Sequence, residues 1–223
     1  MPGCLELAEG QSKRLPEIRK GFAVETPVYF VNTCGQPEVF RVTNLRPEGA
    51  SAPRTEGSMR YTPGAGFEAI LRCYEEDPLI TYYQPDGFVY HDSCMEVFLN
   101  CFPELPEAKY LNVEMNAAGT ALCAFGTTEE RSFLLQLGLQ QPEITPTRGR
   151  DESGSYWQLQ CFIPESLLET LYQRPCRFAP GDQLRGNFYK CGDKTAAPHW
   201  ASWSPVSVLN FHIPEDFGIL EIR

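Results

Sequence analysis

Short apolar runs, enriched in β-branched and aromatic side chains and broken by 19 prolines and 18 glycines, set the rhythm of this chain. That rhythm predicts strands over residues 39–43, 67–74, 80–83, 95–100, 110–116, 121–125, 156–163, 186–191 and 218–222. Two helical pieces interrupt them. One covers residues 129–136; the other covers 164–172, where a leading proline and Glu165 suit a helix N-terminus. The segments 47–63 and 145–154, rich in turn-forming and charged residues, read as exposed loops. The expected architecture is an all-β, two-sheet antiparallel β-sandwich of jelly-roll type with short connecting helices.

Successive side chains in a strand point to opposite faces, so each run divides into two sets. In 110–116, Leu111, Val113 and Met115 form a core face, opposed by Tyr110, Asn112, Glu114 and Asn116. Residues 95–100 set Glu96 and Asn100 against Met95, Val97 and Leu99, and Arg72 with Tyr74 opposes Leu71 and Cys73. One sheet face therefore reads as a polar floor of carboxylates, amides and guanidinium groups, each able to bind vicinal hydroxyls in pairs. On residue types alone, a solvated sheet face that binds nothing has the same alternation. Tyr90, Trp200 and Trp203 stand in loop-like contexts where rings could stack on a flat ligand or plug the end of a sandwich; Trp157 alternates with Leu159 and Cys161 and reads as core.

Composition narrows the classes. With 223 residues, 42% of them hydrophobic and 22% charged, the chain fits one soluble domain with a sizeable core. The first twenty residues, with mixed charge and little pattern, read as an edge extension or a mobile tail. A formal net charge of -10 repels a phosphate backbone, so nucleic acid is not an expected partner. Nine cysteines without a CxxC pair read as reduced core thiols and not as a zinc site. No apolar leader follows Met1 and no run is long enough to span a membrane, so the expected location is cytoplasmic with no membrane partner.

Five weak motifs occur in an order that resembles the family 9 carbohydrate-binding modules and their free-standing relatives. They are Tyr90 and Asp92 leading into Glu96, Val97 and Phe98; Tyr110 to Thr120 with Asn116 and Gly119; the Trp157 strand ending in Ile163 and Pro164; the Arg185-Gly-Asn-Phe-Tyr stretch; and Trp203-Ser-Pro, Phe211-His-Ile-Pro and Phe217-Gly. Together they cover residues 67–222. The resemblance implies a β-sandwich that holds the end of a mono- or oligosaccharide between aromatic rings without turning it over. Carried onto this chain, Tyr90 and Trp200 or Trp203 would be the rings, and Glu96, Asn112, Glu114 and Asn187 the polar contacts. Tyr90 stands where a Trp is expected, and Arg72 is a candidate for the family's guanidinium. The resemblance also allows a structural calcium ion, although no dense Asp cluster fixes a site and no other cofactor is implied.

Other classes draw on the same residues. Glu96 and Glu114 could pair as a glycosidase acid and base. A Ser-His-Asp or Cys-His site would have to recruit His91, His199 or His212, none of which has a glycine-framed nucleophile nearby. Met95 or Met115 with His91 or His212 could ligate haem. A sandwich serving structure or protein interaction would turn its aromatic rings into the core. In each of these readings His212 is expected to bond a backbone group in the turn before Pro214.

Overall fold

The computed structural model describes residues 25–223; the N-terminal extension expected over residues 1–20 lies outside them. Fourteen strands follow one another among the described residues: β1 (Val28–Val31), β2 (Phe40–Val42), β3 (Asn44–Arg46), β4 (Thr55–Thr62), β5 (Gly66–Cys73), β6 (Cys94–Asn100), β7 (Tyr110–Asn116), β8 (Ala121–Gly126), β9 (Arg131–Phe133), β10 (Glu143–Asp151), β11 (Gly154–Pro164), β12 (Gln183–Cys191), β13 (Trp200–Ser202) and β14 (Gly218–Ile222). One helix, α1 (Glu165–Tyr172), joins β11 to β12. The larger sheet runs β1-β14-β12-β6-β7-β8-β9, with β13 sharing an edge of β12 and carrying β3. The smaller sheet runs β10-β11-β5-β4-β2. All pairs are antiparallel except β1 with β14.

Period-two patterning explains how the sheets meet. Met95, Val97, Leu99, Leu111, Val113 and Met115 face inward from the larger sheet, and Ala69, Leu71, Trp157 and Leu159 from the smaller one, all in one buried cluster. Each fully buried large side chain in it contributes about 1.5–3 kcal/mol relative to exposure. Lys190, also on the inward set of β12, is fully buried. Its ammonium lies 3.9 Å from Glu75 and 2.8 Å from His199 Nε2. The eight described cysteines are unpaired and only Cys34 is exposed, in keeping with thiols used as small apolar groups.

Several elements differ from expectation. Residues 129–136 form the edge strand β9 followed by turns, not a helix, because Phe125 and Gly126 of β8 offer a free edge that pairs Ser132 and Arg131. The expected loops 47–63 and 145–154 contain β4 and most of β10, whose polar outward residues hide the alternation. Residues 80–83 are not a strand. Asp92 instead fixes them by accepting bonds from the backbone N–H of Thr81 at 2.9 Å and of Tyr82 at 3.0 Å. Helix α1 forms as expected, with Pro164 at its N-cap and Gln173 left-handed at its end. No helix among the described residues is long and apolar enough to cross a membrane.

Candidate functional site

Cross-strand register arranges the outer face of the larger sheet into rows. One row reads Tyr189, Glu96, Glu114, Leu122 across β12, β6, β7 and β8. The next reads Asn187, Phe98, Asn112, Ala124, Phe133, ending on β9. The segment after β13 folds back over part of this face. Its Val206 and Phe217 close a second small core with Phe98, Tyr110 and Tyr189, against which Phe211 packs. Phe211 stacks on Tyr189 with ring centroids 4.0 Å apart. The uncovered part of the face is a cavity of about 560 Å³, within the size range of small-ligand sites.

Its floor is polar yet removed from water. Glu96, Asn112 and Glu114 are 2%, 1% and 5% exposed. Asn112 Nδ2 donates to Glu114 Oε1 at 3.0 Å, and the Cys191 thiol donates to Glu96 Oε1 at 3.0 Å. Asn112 Oδ1 has no partner; among the described residues it shares that condition only with Ser202 Oγ. Burial raises the Glu114 carboxyl from 4.5 to about 7. Burial, then the neighbouring Cys191 and Glu114, push Glu96 well above the usual carboxylate range.

Aromatic and charged groups form the walls. Phe88, Tyr90, Phe133 and Trp200 line the opening. Trp200 is fixed by a bond from Nε1 to Asp193 Oδ1 at 2.7 Å. Asp92 also accepts a bond from Asn116 Nδ2 at 2.9 Å, tying the loop that carries Tyr90 to β7. Arg131 lies in register with Gly126, which in turn opposes Tyr110. With no side chain at Gly126 in the way, the guanidinium reaches over and donates to the Tyr110 hydroxyl. That hydroxyl is also hydrogen-bonded to His212 Nδ1 at 2.9 Å, and His212 Nε2 lies 4.0 Å from Glu114. Burial and then Arg131 lower His212 to about 3, so the ring is neutral.

The eight residues expected to form the site thus fall into two groups. Tyr90, Glu96, Asn112, Glu114 and Trp200 surround one cavity; Asn187, Trp203 and Arg72 lie elsewhere. Phe98 separates Asn187 from Asn112 in their row. The Asn187 side chain is used by the Ser204 backbone, accepting from its N–H at 2.8 Å and donating to its carbonyl at 3.0 Å. Trp203 packs inside the sandwich against Phe188 at 5.7 Å and against Gly218, where a Cβ would strike its ring. Arg72 belongs to the outer face of the smaller sheet, bonded to Gln158 at 2.9 Å and stacked over Tyr156 at 4.0 Å.

Arg131, Phe133, Asp193 and His212 were not among the expected residues. A strand assignment for 131–133 would have placed Arg131 and Phe133 on one face; the other two carry no local signal. His212 bonds a tyrosine hydroxyl and not the backbone group expected of it. Among the described residues, the one cluster of three metal-type donors is Cys94, Glu96 and Cys191, with ligand atoms within 4.8 Å of one another. Two sulfurs and a carboxylate suit a thiophilic ion and not calcium, which takes oxygen ligands.

A two-sheet sandwich with an aromatic-rimmed cavity over a polar sheet face defines a ligand-binding module. The chain matches carbohydrate-binding family 9 over residues 65–222 and belongs to that family. Its fold is similar to that of a candidate carbohydrate-binding protein from Bacteroides uniformis, at 23% identity and a TM-score of 0.70, covering 89% of this chain and 100% of that one. A family 9 module from Caldicellulosiruptor kristjanssonii, solved with cellotriose, aligns at 9% identity and a TM-score of 0.56 over 88% of this chain and 94% of that one. The same kind of module solved with glucose gives 9% and 0.55, over 88% and 96%. None of the curated proteins matches the chain.

Proposed function

We propose that this protein binds the end of a mono- or oligosaccharide in the cavity above β6 and β7 and releases it unchanged. The observation that carries this reading is the pairing of Tyr90 and Trp200 at the opening with Glu96, Asn112 and Glu114 on the floor. A pyranose has an apolar C–H face for a ring and a rim of hydroxyls for planar polar groups. The unpartnered Asn112 Oδ1 is an acceptor that a hydroxyl would satisfy. Family membership and the cellotriose and glucose complexes of family 9 modules from Caldicellulosiruptor kristjanssonii support the ligand class.

Catalytic readings fit the geometry less well. Glu96 and Glu114 are direct cross-strand partners on one floor, whereas a glycosidase needs its carboxyls on either side of the scissile bond. Met95 and Met115 are both fully buried between the sheets, on the face opposite His212, so neither can pair with His212 on a haem. Isothermal titration with glucose and cello-oligosaccharides tests the binding reading. Micromolar to millimolar affinity is expected, because a small hydrated ligand loses much of its gain to desolvation. No binding by any member of a broad saccharide panel would overturn it, leaving a sandwich that serves structure or protein contact.

A further inference from the structure

The cavity holds more acidic groups than basic ones. Glu96 and Glu114 lie side by side on the floor, Asp193 and Glu129 stand at the wall, and Arg131 is the one guanidinium. Arg131 is engaged with the Tyr110 hydroxyl. Among the described residues Glu96 makes no ion pair, and Glu114 has only the neutral His212 at 4.0 Å. Beside them Asn112 Oδ1, in a side chain 1% exposed, has no donor at all. The floor therefore offers a ligand two buried carboxyls, with no cation at ion-pair distance among the described residues, and an amide oxygen without a donor.

We propose that the saccharide unit bound here carries a protonated amine, as a hexosamine does, with its ammonium group over Glu114 and Asn112 Oδ1. This rests on the sugar-binding reading and names the ligand class of the same site. An ammonium brings three donors and no acceptor, matching a floor of carboxylate and amide oxygens. Its bonds to a carboxylate are charge-assisted and about twice as strong as neutral ones. It also gains from the Tyr90 and Trp200 rings, whose faces attract cations. A hydroxyl at the same place supplies a single donor and gives Glu114 no charge to ionise against.

Titration of the full chain with glucosamine, N-acetylglucosamine and glucose near neutral pH tests this. Glucosamine is expected to bind about tenfold more tightly than either neutral sugar, with the advantage shrinking as salt is added. Glu114→Gln, which keeps the shape of the side chain, is expected to bring the glucosamine-to-glucose affinity ratio close to one. Equal affinities in the wild-type protein would overturn the amine assignment while leaving sugar binding intact. So would N-acetylglucosamine binding as tightly as glucosamine, which would mean that shape and not charge is recognised. If none of the three sugars and no member of the broader saccharide panel binds, the sugar-binding reading itself fails. The wild-type comparison decides the question even if the variant does not fold.

Discussion

Asn112 shows how one side chain joins fold to ligand. Its Nδ2 is used within the floor, so the cost of burying its unpartnered Oδ1, about 1–3 kcal/mol, is borne by the free protein and relieved only when a donor arrives. Trp200 acts from the other side. Removing its ring by Trp200→Ala should weaken saccharide binding about tenfold, from lost stacking and apolar contact, while the denaturation midpoint changes little; unchanged affinity by calorimetry would exclude it as a contact. Glu114 makes a pH prediction. Its folded value of about 7 lies above the ordinary 4.5, so the folded state holds the proton more tightly. The resulting stability is fully present below pH 4.5 and lost as pH rises through 7. Neutral His212 acts in the opposite sense, its contribution fading as pH falls from 6.5 toward 3. In urea melts the wild-type protein should therefore lose stability relative to Glu114→Gln as pH rises from 4.5 to 7, whatever His212 adds to both; identical slopes would contradict the assignment.

Strand β13 and its continuation explain why two indoles three residues apart do not clamp one ligand. An odd separation in extended chain puts side chains on opposite faces. Trp200 emerges beside Cys191 on the outer face, Ala201 enters the core, and Trp203, partly buried, packs against that core from the same side as Ala201. The two tryptophans should accordingly separate in experiment. Trp203→Ala is expected to cost about 3–5 kcal/mol of stability in denaturant, with saccharide affinity retained wherever the variant is folded. An affinity loss without a stability loss would move Trp203 into the site. The return segment from Ser204 to Phe217 has a comparable double role: it covers part of the outer face, and its Phe211 and His212 become cavity wall.

At the scale of the molecule, the sheets are joined by apolar packing and, among the described residues, by one ionic contact. Glu75, just beyond β5, accepts from Trp157 Nε1 at 3.1 Å and from Ser93 Oγ at 2.8 Å and lies 3.9 Å from the buried Lys190 on the other sheet. Breaking such a pair leaves a charge stranded, so Glu75→Gln should destabilise by about 3–5 kcal/mol, whereas replacing Lys190 and Glu75 together by apolar residues should cost far less. Equal losses in the single and double variants, measured by chemical denaturation, would show that the charge pairing is immaterial.

The sandwich class, the inward faces of β6, β7 and β11, helix α1 and the shared outward direction of Glu96, Asn112 and Glu114 were all legible along the chain, because a period of two is a local property. Polar strands escaped that reading: β4, inside the smaller sheet, and the edge strands β9 and β10 are recognisable only from the partners they pair with. Which outward residues stay open was equally a matter of distant neighbours. Asn187 is covered because Ser204 folds onto it, Arg72 faces the far side of the other sheet, and Arg131 enters the site across the bare backbone of Gly126. Alternation tells each residue its side of a sheet; the register between strands and the path of the returning chain decide which of those residues meet, and therefore where the cavity lies.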